Sequence, residues 1–311
     1  MLRQLHSEQG ILRISIAGTL VVAVFGIIVG LQAGSDAIVF DAFYSLIDAI
    51  MSGLALTVAI LITRHTKEEG VRRLAERFNM GFWHLEPMVL ALNGTLLCVV
   101  ALYALVNSII SVLEGGKTLE FGIAILYAAV SATVCFTLAL LEHHRNKEIR
   151  SDFVALDIKG WIMAGSISFA LLIAFALAVL AQGTRYAWVA PYVDPVVLGT
   201  ICLIIIPVPL STVRKAWSEI LMVTPTELKV HVDTVARRVV EESGFSGYQT
   251  YVAKVGRARQ IELYFIVPSG WPAMTLDEWD AIRDRVGQEI GDEGPDRWLT
   301  ISFTTDPEWS R

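Results

Sequence analysis

Charge is scarce in this chain: only 18% of its 311 residues are Asp, Glu, Lys or Arg, against 54% hydrophobic residues. A typical soluble domain has roughly 25% charged and about 45–50% apolar residues. That deficit excludes a soluble enzyme and a disordered chain. Cysteine is also rare. Cys98, Cys135 and Cys202 all lie in apolar runs and form no CxxC pair, so they read as packing residues, which excludes a secreted disulfide scaffold and a thiolate metal site. Excess positive charge is absent, with a formal net charge of -6, and nothing points to nucleic acid as a partner. No His-Glu-x-x-His, Gly-x-Ser-x-Gly or Gly-x-x-x-x-Gly-Lys pattern occurs, so no enzyme and no resident cofactor is expected.

Long apolar runs are abundant. A membrane-spanning helix needs about 20 predominantly apolar residues. Six stretches qualify: 14–31, 37–62, 88–113, 121–141, 153–181 and 188–210. The first leads through Gln32-Ala33-Gly34-Ser35 straight into the second, unlike a cleaved signal peptide. Basic residues fall on alternate sides. Arg3 and Arg13 precede span one; Arg64, Lys67, Arg72, Arg73 and Arg77 follow span two; Arg145, Lys147 and Arg150 follow span four; Arg214 and Lys215 follow span six. The opposite loops hold only Lys117 and Arg185. The positive-inside rule then puts both termini in the cytoplasm, in a multi-pass protein of what is expected to be a bacterial inner membrane.

Charge returns in the last third. The expected division is a six-span all-α transmembrane domain over residues 1–215 and a cytoplasmic α+β domain over 216–311. In the latter, Thr224-Pro225-Thr226-Glu227 has the form of a capping box with Thr224 as N-cap, opening a helix that stops at Gly244. Tyr248–Val255 and Gln260–Val267 alternate as strands around a turn at 256–259. Thr275-Leu276-Asp277-Glu278 opens a second helix ending near Ile290, and Trp298–Thr304 is a last strand. The αββαβ order suggests a ferredoxin-like sandwich with helices on one sheet face, which binds a ligand or holds two subunits together.

Ionisable residues inside the apolar runs are the functional candidates, since each costs about 2.5–3.5 kcal/mol on insertion scales. Span two has Asp41 and Asp48, span five Asp157 and Lys159, and span six Asp194. Asp41, Tyr44 and Asp48 follow i, i+3, i+7 and so share a helical face. Asp48 falls roughly 15 Å deep, near the midplane, with Asp41 about 10 Å nearer the outside. Ala42, Ala49, Ser52 and Gly53 allow a second helix close approach. Asp41 reads either as a pathway residue or as an interfacial one, and Tyr44 either as a ligand or as a packing aromatic. Lys159 reads as snorkelling, and Asp194-Pro195 as a helix start at the outer surface. Oxygen donors suit a divalent cation such as Mn²⁺, Fe²⁺ or Mg²⁺. If spans two and five face each other with Asp48 level with Ala164, then Asp157, Asp48 and Asp41 form a ladder from the cytoplasmic mouth outward, with rungs roughly 10 Å apart; otherwise Asp41 and Asp157 are helix-end residues bonded to backbone or to Lys159.

Gly34-Ser35 followed by Asp41, Tyr44 and Asp48 resembles the Gly-Ser…Asp-x-x-His-x-x-x-Asp pattern of the cation diffusion facilitator family. The segment Arg77-Phe78-Asn79-Met80-Gly81-Phe82-Trp83-His84-Leu85-Glu86-Pro87 also resembles that family's approach to span three. The resemblance extends over nearly the whole chain. It implies a homodimeric exporter that exchanges a divalent metal for protons, with two ligands from span two and two from span five. Carried over, span two supplies Tyr44 and Asp48. The frame beginning at Asp157 puts its ligand positions on Gly160 and Ala164, neither of which has a ligating side chain. The usual four-ligand zinc site is therefore not present as such, and the cargo stays open among Mn²⁺, Fe²⁺, Co²⁺ and Zn²⁺. A histidine-rich loop is absent. His143-His144 is only a pair, and His231 reads as a surface residue, leaving dimerisation as the tail's expected role. Two readings remain: a proton-coupled exporter with an atypical carboxylate site, or a member of that fold that has lost transport and serves as a binding or regulatory protein.

Overall fold

The computed structural model describes residues 8–66, 82–149, 152–294 and 296–310. Arg3, Lys67, Arg72, Arg73, Arg77 and Arg150, with the 77–81 part of the segment before span three, lie outside the described residues. The helices are α1 (Glu8–Ala33), α2 (Asp36–Thr66), α3 (Leu85–Leu113), α4 (Phe121–Ile149), α5 (Asp152–Gln182), α6 (Ala190–Ile205) and α7 (Pro207–Ile220). They provide six segments long and apolar enough to cross a membrane, the sixth running over 187–220. The chain divides into two compact units, one of residues 1–53 and 93–211, the other of residues 54–92 and 212–311.

In the first unit the core is built around Ile38, Tyr127, Leu171, Phe175 and Leu198, all at most 1% exposed. Glycine and small residues let the helices approach. A Cβ added at Gly26 of α1 would stand 2.5 Å from the Tyr127 hydroxyl and 2.8 Å from the Ala42 methyl, so only glycine fits at that crossing. Ser131 of α4 and Ser168 of α5 hydrogen-bond across the adjoining pair at 3.0 Å. Many of the residues facing away from the core are large and apolar, Leu102, Tyr103, Val106 and Leu177 among them, as lipid contact requires.

Span six departs from the sequence reading in two places. The helix starts at Ala190 with Pro191 in its first turn, so Asp194-Pro195 is not its start. Asp194 is instead 2% exposed and acts at a distance. It accepts from the Ser35 hydroxyl at 2.5 Å and from the Asp36 N–H at 2.9 Å, satisfying a donor that the first turn of α2 leaves free. Pro195 lacks an N–H, which leaves the Pro191 carbonyl without its helical partner. The Lys117 N–H fills that vacancy at 2.8 Å. Gly116, at φ 87°, makes the approach possible, since a Cβ there would lie 2.5 Å from the same oxygen. Lys117 also pairs with Asp36 at 2.6 Å, tying this turn to the start of α2. The second departure is a break at Ile206, where Pro207 ends α6 and opens α7.

In the second unit, Phe82 packs against Val58 and Ile62 before α3 begins. The C-terminal domain follows as α8 (Thr226–Ser243), β1 (Gly247–Val255), β2 (Ala258–Ile266), α9 (Leu276–Ile290) and β3 (Arg297–Thr304). The sheet order is β1-β2-β3, with β1 and β2 antiparallel and β2 and β3 parallel. Alternation sets the buried face: Ile261, Leu263 and Phe265 are at most 1% exposed. Against them α8 places Val232, Val235, Ala236 and Val239, an i, i+3, i+4, i+7 stripe. Phe245, Trp271, Trp279 and Phe303 complete this core. Thr275 and Glu278 form the capping box read from the sequence. Thr224 does not cap α8. The N-cap is Pro225, without a side-chain hydrogen bond, because the Pro225 carbonyl already takes the first helical bond from Lys229. His231 is exposed and contacts the Ile290 carbonyl oxygen at 3.1 Å.

Asp233 gives this domain an acid-sensitive contact. Burial pushes its carboxyl up, but hydrogen bonds from Lys229 and Thr250 outweigh that and hold it below the usual carboxylate range. A folded-state value below the unfolded one stabilises the fold above the unfolded pKa, and the gain is lost as pH falls through the folded value. In a fragment of residues 224–311, Thr250→Val therefore lowers stability at pH 7 by about 1 kcal/mol. The difference from wild type shrinks below about pH 4, as Asp233 takes up a proton. Urea unfolding at the two pH values measures both numbers.

Candidate metal-binding cavity

Four helices of the first unit enclose a cavity of about 130 Å³. Each contributes one face, as helical periodicity requires. Thr19 and Val22 come from α1; Asp41, Ser45 and Asp48 from α2; Ser131 and Cys135 from α4; and Asp157, Gly160, Trp161 and Ala164 from α5. The α2 set runs i, i+4, i+7, and the α5 set i, i+3, i+4, i+7. The three acids of the expected ladder, Asp41, Asp48 and Asp157, thus border one space, and Asp194 does not.

Tyr44 is not among the lining residues. Its ring lies 5.6 Å from that of Phe40, packed against the core of the unit. Ser45, next in sequence, takes the cavity position on α2. Lys159 is exposed on α5 and does not line the cavity. Gly160 faces open space, with nothing within 4 Å of where a Cβ would stand. Ala164 packs beside Cys135, Ala139 and Trp161.

Two further polar groups escaped the sequence reading. Asn93 of α3 directs its amide toward Asp48 at 3.5 Å, at the limit of a hydrogen bond, and its own buried carbonyl oxygen has no partner. An amide inside an apolar run was the signal available. Glu142 of α4 is 1% exposed and interacts with Asp157, Ser15 and Trp161. It stands one residue past the expected end of span four at 141, outside the apolar runs whose charges marked the other candidates.

The donors facing the cavity are carboxylates, hydroxyls and one thiol. Oxygen-rich sets suit Mg²⁺, Mn²⁺ and related hard or borderline cations, with water completing the shell. Among the described residues, no three His, Cys, Asp or Glu side chains converge on one point. The acids are spread along the space, and the two on α2 are separated by two turns, about 10 Å along the axis.

The family model for the cation efflux transmembrane domain matches residues 12–221. Among curated proteins, none matches the chain. A match over two thirds of the sequence, on six helices able to span a membrane and followed by a small α+β domain, places this chain in the cation efflux family, the cation diffusion facilitators.

Proposed function

We propose that this protein exports a divalent metal cation in exchange for protons, through a pathway made of carboxylates. The supporting observation is the shared cavity: Asp41, Asp48 and Asp157 all line it. In this reading both termini and the C-terminal domain face the cytoplasm of a bacterial cell, the domain joins two copies of the chain, and the ion enters from the Asp157 side. Asp48 holds it at the centre with Asn93 alongside, and Asp41 receives it toward the outside. The cation and a proton compete for the same carboxylate oxygens, so a proton arriving from outside displaces the metal. Water supplies the ligands that Gly160 and Ala164 do not, which favours Mn²⁺, Fe²⁺ or Co²⁺ over a dry tetrahedral Zn²⁺ site.

The rival reading is a chain of this family that binds cations without moving them. The scattered acids and the ligand-free Gly160 and Ala164 favour it. Transport in proteoliposomes separates the two. An exporter fills the vesicles with metal when a proton gradient is imposed, whereas a binding protein leaves them empty under every gradient.

A further inference from the structure

Glu142 is the least exposed acid among the described residues, at 1%. It faces Asp157 across the α4–α5 contact, and the two carboxyls interact with each other and with the Ser15 hydroxyl of α1. That hydroxyl accepts from Trp161 Nε1 at 2.8 Å, which leaves oxygen lone-pair capacity toward the carboxyls. One oxygen of each acid, Glu142 Oε2 and Asp157 Oδ2, is buried with no partner. Among the described residues, the ion pairs involve neither acid.

Two facing carboxyls within a helix bundle, each with an orphaned oxygen, are a costly arrangement unless a cation or a shared proton completes it. Three helices supply the donors, so their spacing is held by packing. Ala139 and Cys135, one and two turns before Glu142 on α4, pack against Trp161 and fix that contact. Asp157 belongs to both places, lining the cavity and facing Glu142.

We infer that Glu142 and Asp157, with the Ser15 hydroxyl, form a second divalent-cation subsite adjoining the cavity, apart from Asp48. It is a hard-donor site of two carboxylates and a hydroxyl, completed by water, and it takes Mn²⁺-like ions. It deepens the transport reading and rests on it: an ion held here is one step from the cavity through the shared Asp157.

The test is equilibrium Mn²⁺ binding to the purified full-length protein in detergent, with free Mn²⁺ read by electron paramagnetic resonance. Glu142→Gln keeps shape and hydrogen bonding while removing one carboxylate. It is expected to weaken one class of bound Mn²⁺ by at least about tenfold. Asp157→Asn should weaken the same class, and the double variant should lose no further class. Asp48→Asn should leave that class in place and remove another. Glu142→Gln binding Mn²⁺ as wild type does overturns the subsite and leaves a carboxyl pair that shares a proton. Loss in Glu142→Gln with wild-type binding in Asp48→Asn supports the subsite and contradicts the central role of Asp48. Size-exclusion chromatography checks folding. Should Glu142→Gln fail to elute as a single species, Ser15→Ala, at a donor that does not line the cavity, decides by the same criterion: weakened binding of that class supports the subsite, and wild-type binding overturns it.

Discussion

Asp48→Asn should reduce metal flux by about 100-fold or more, the largest loss expected of any single substitution, because it removes the carboxylate that the proposed pathway puts at its centre. The substitution is nearly isosteric. It keeps a hydrogen-bonding group for Asn93, which stands 3.5 Å away on α3. Assembly and yield should therefore stay near wild type. The same change at Asp41, two turns away on α2, leaves Asp48 in place and should slow transport less. Initial rates of Mn²⁺ uptake, normalised to reconstituted protein, test this. An Asp48→Asn protein that transports at the wild-type rate removes Asp48 from the pathway.

Gly160→His combined with Ala164→Asp should shift preference toward Zn²⁺ over Mn²⁺ by about 100-fold, by adding the nitrogen and oxygen ligands that the α5 frame lacks. Room exists for the larger change, since a Cβ at Gly160 meets nothing within 4 Å and both residues line the cavity. Replacing this mid-helix glycine by histidine carries no helix-propensity penalty, since histidine ranks above glycine as a helix former. Competition between Zn²⁺ and Mn²⁺ for binding to the purified variant measures the shift. An unchanged preference means that the α5 face does not reach the ion bound at Asp48.

The elements were legible because their signals are local. Spans follow from run length, and the strands of the C-terminal domain from alternation, with β1 beginning at Gly247 and β3 at Arg297, each one residue before the expected start. Asp41, Asp48 and Asp157 were visible as charges in apolar sequence. What was not legible depends on rotation and long-range packing. At about 100° per residue, Tyr44 and Ser45 flank the Asp41–Asp48 line on opposite sides. Which of them meets the cavity is decided by how α2 is turned against α1, α4 and α5. Asp194 looked like a local helix start, yet its partners Ser35 and Asp36 are 159 and 158 residues away. Glu142 lies one residue outside the expected span four, and only the packing of α5 brings Asp157 to it.

The most direct measurement is metal flux through the purified wild-type protein in proteoliposomes loaded with a divalent-metal indicator, with and without an imposed pH gradient. Entry of Mn²⁺, Fe²⁺ or Co²⁺ should accelerate when the lumen is acidic, with matching loss of lumenal protons, and both signals should vanish with Asp48→Asn. Metal flux that is indifferent to the pH gradient would contradict proton exchange, and no flux under any gradient would make this chain a binding protein built on a transporter fold.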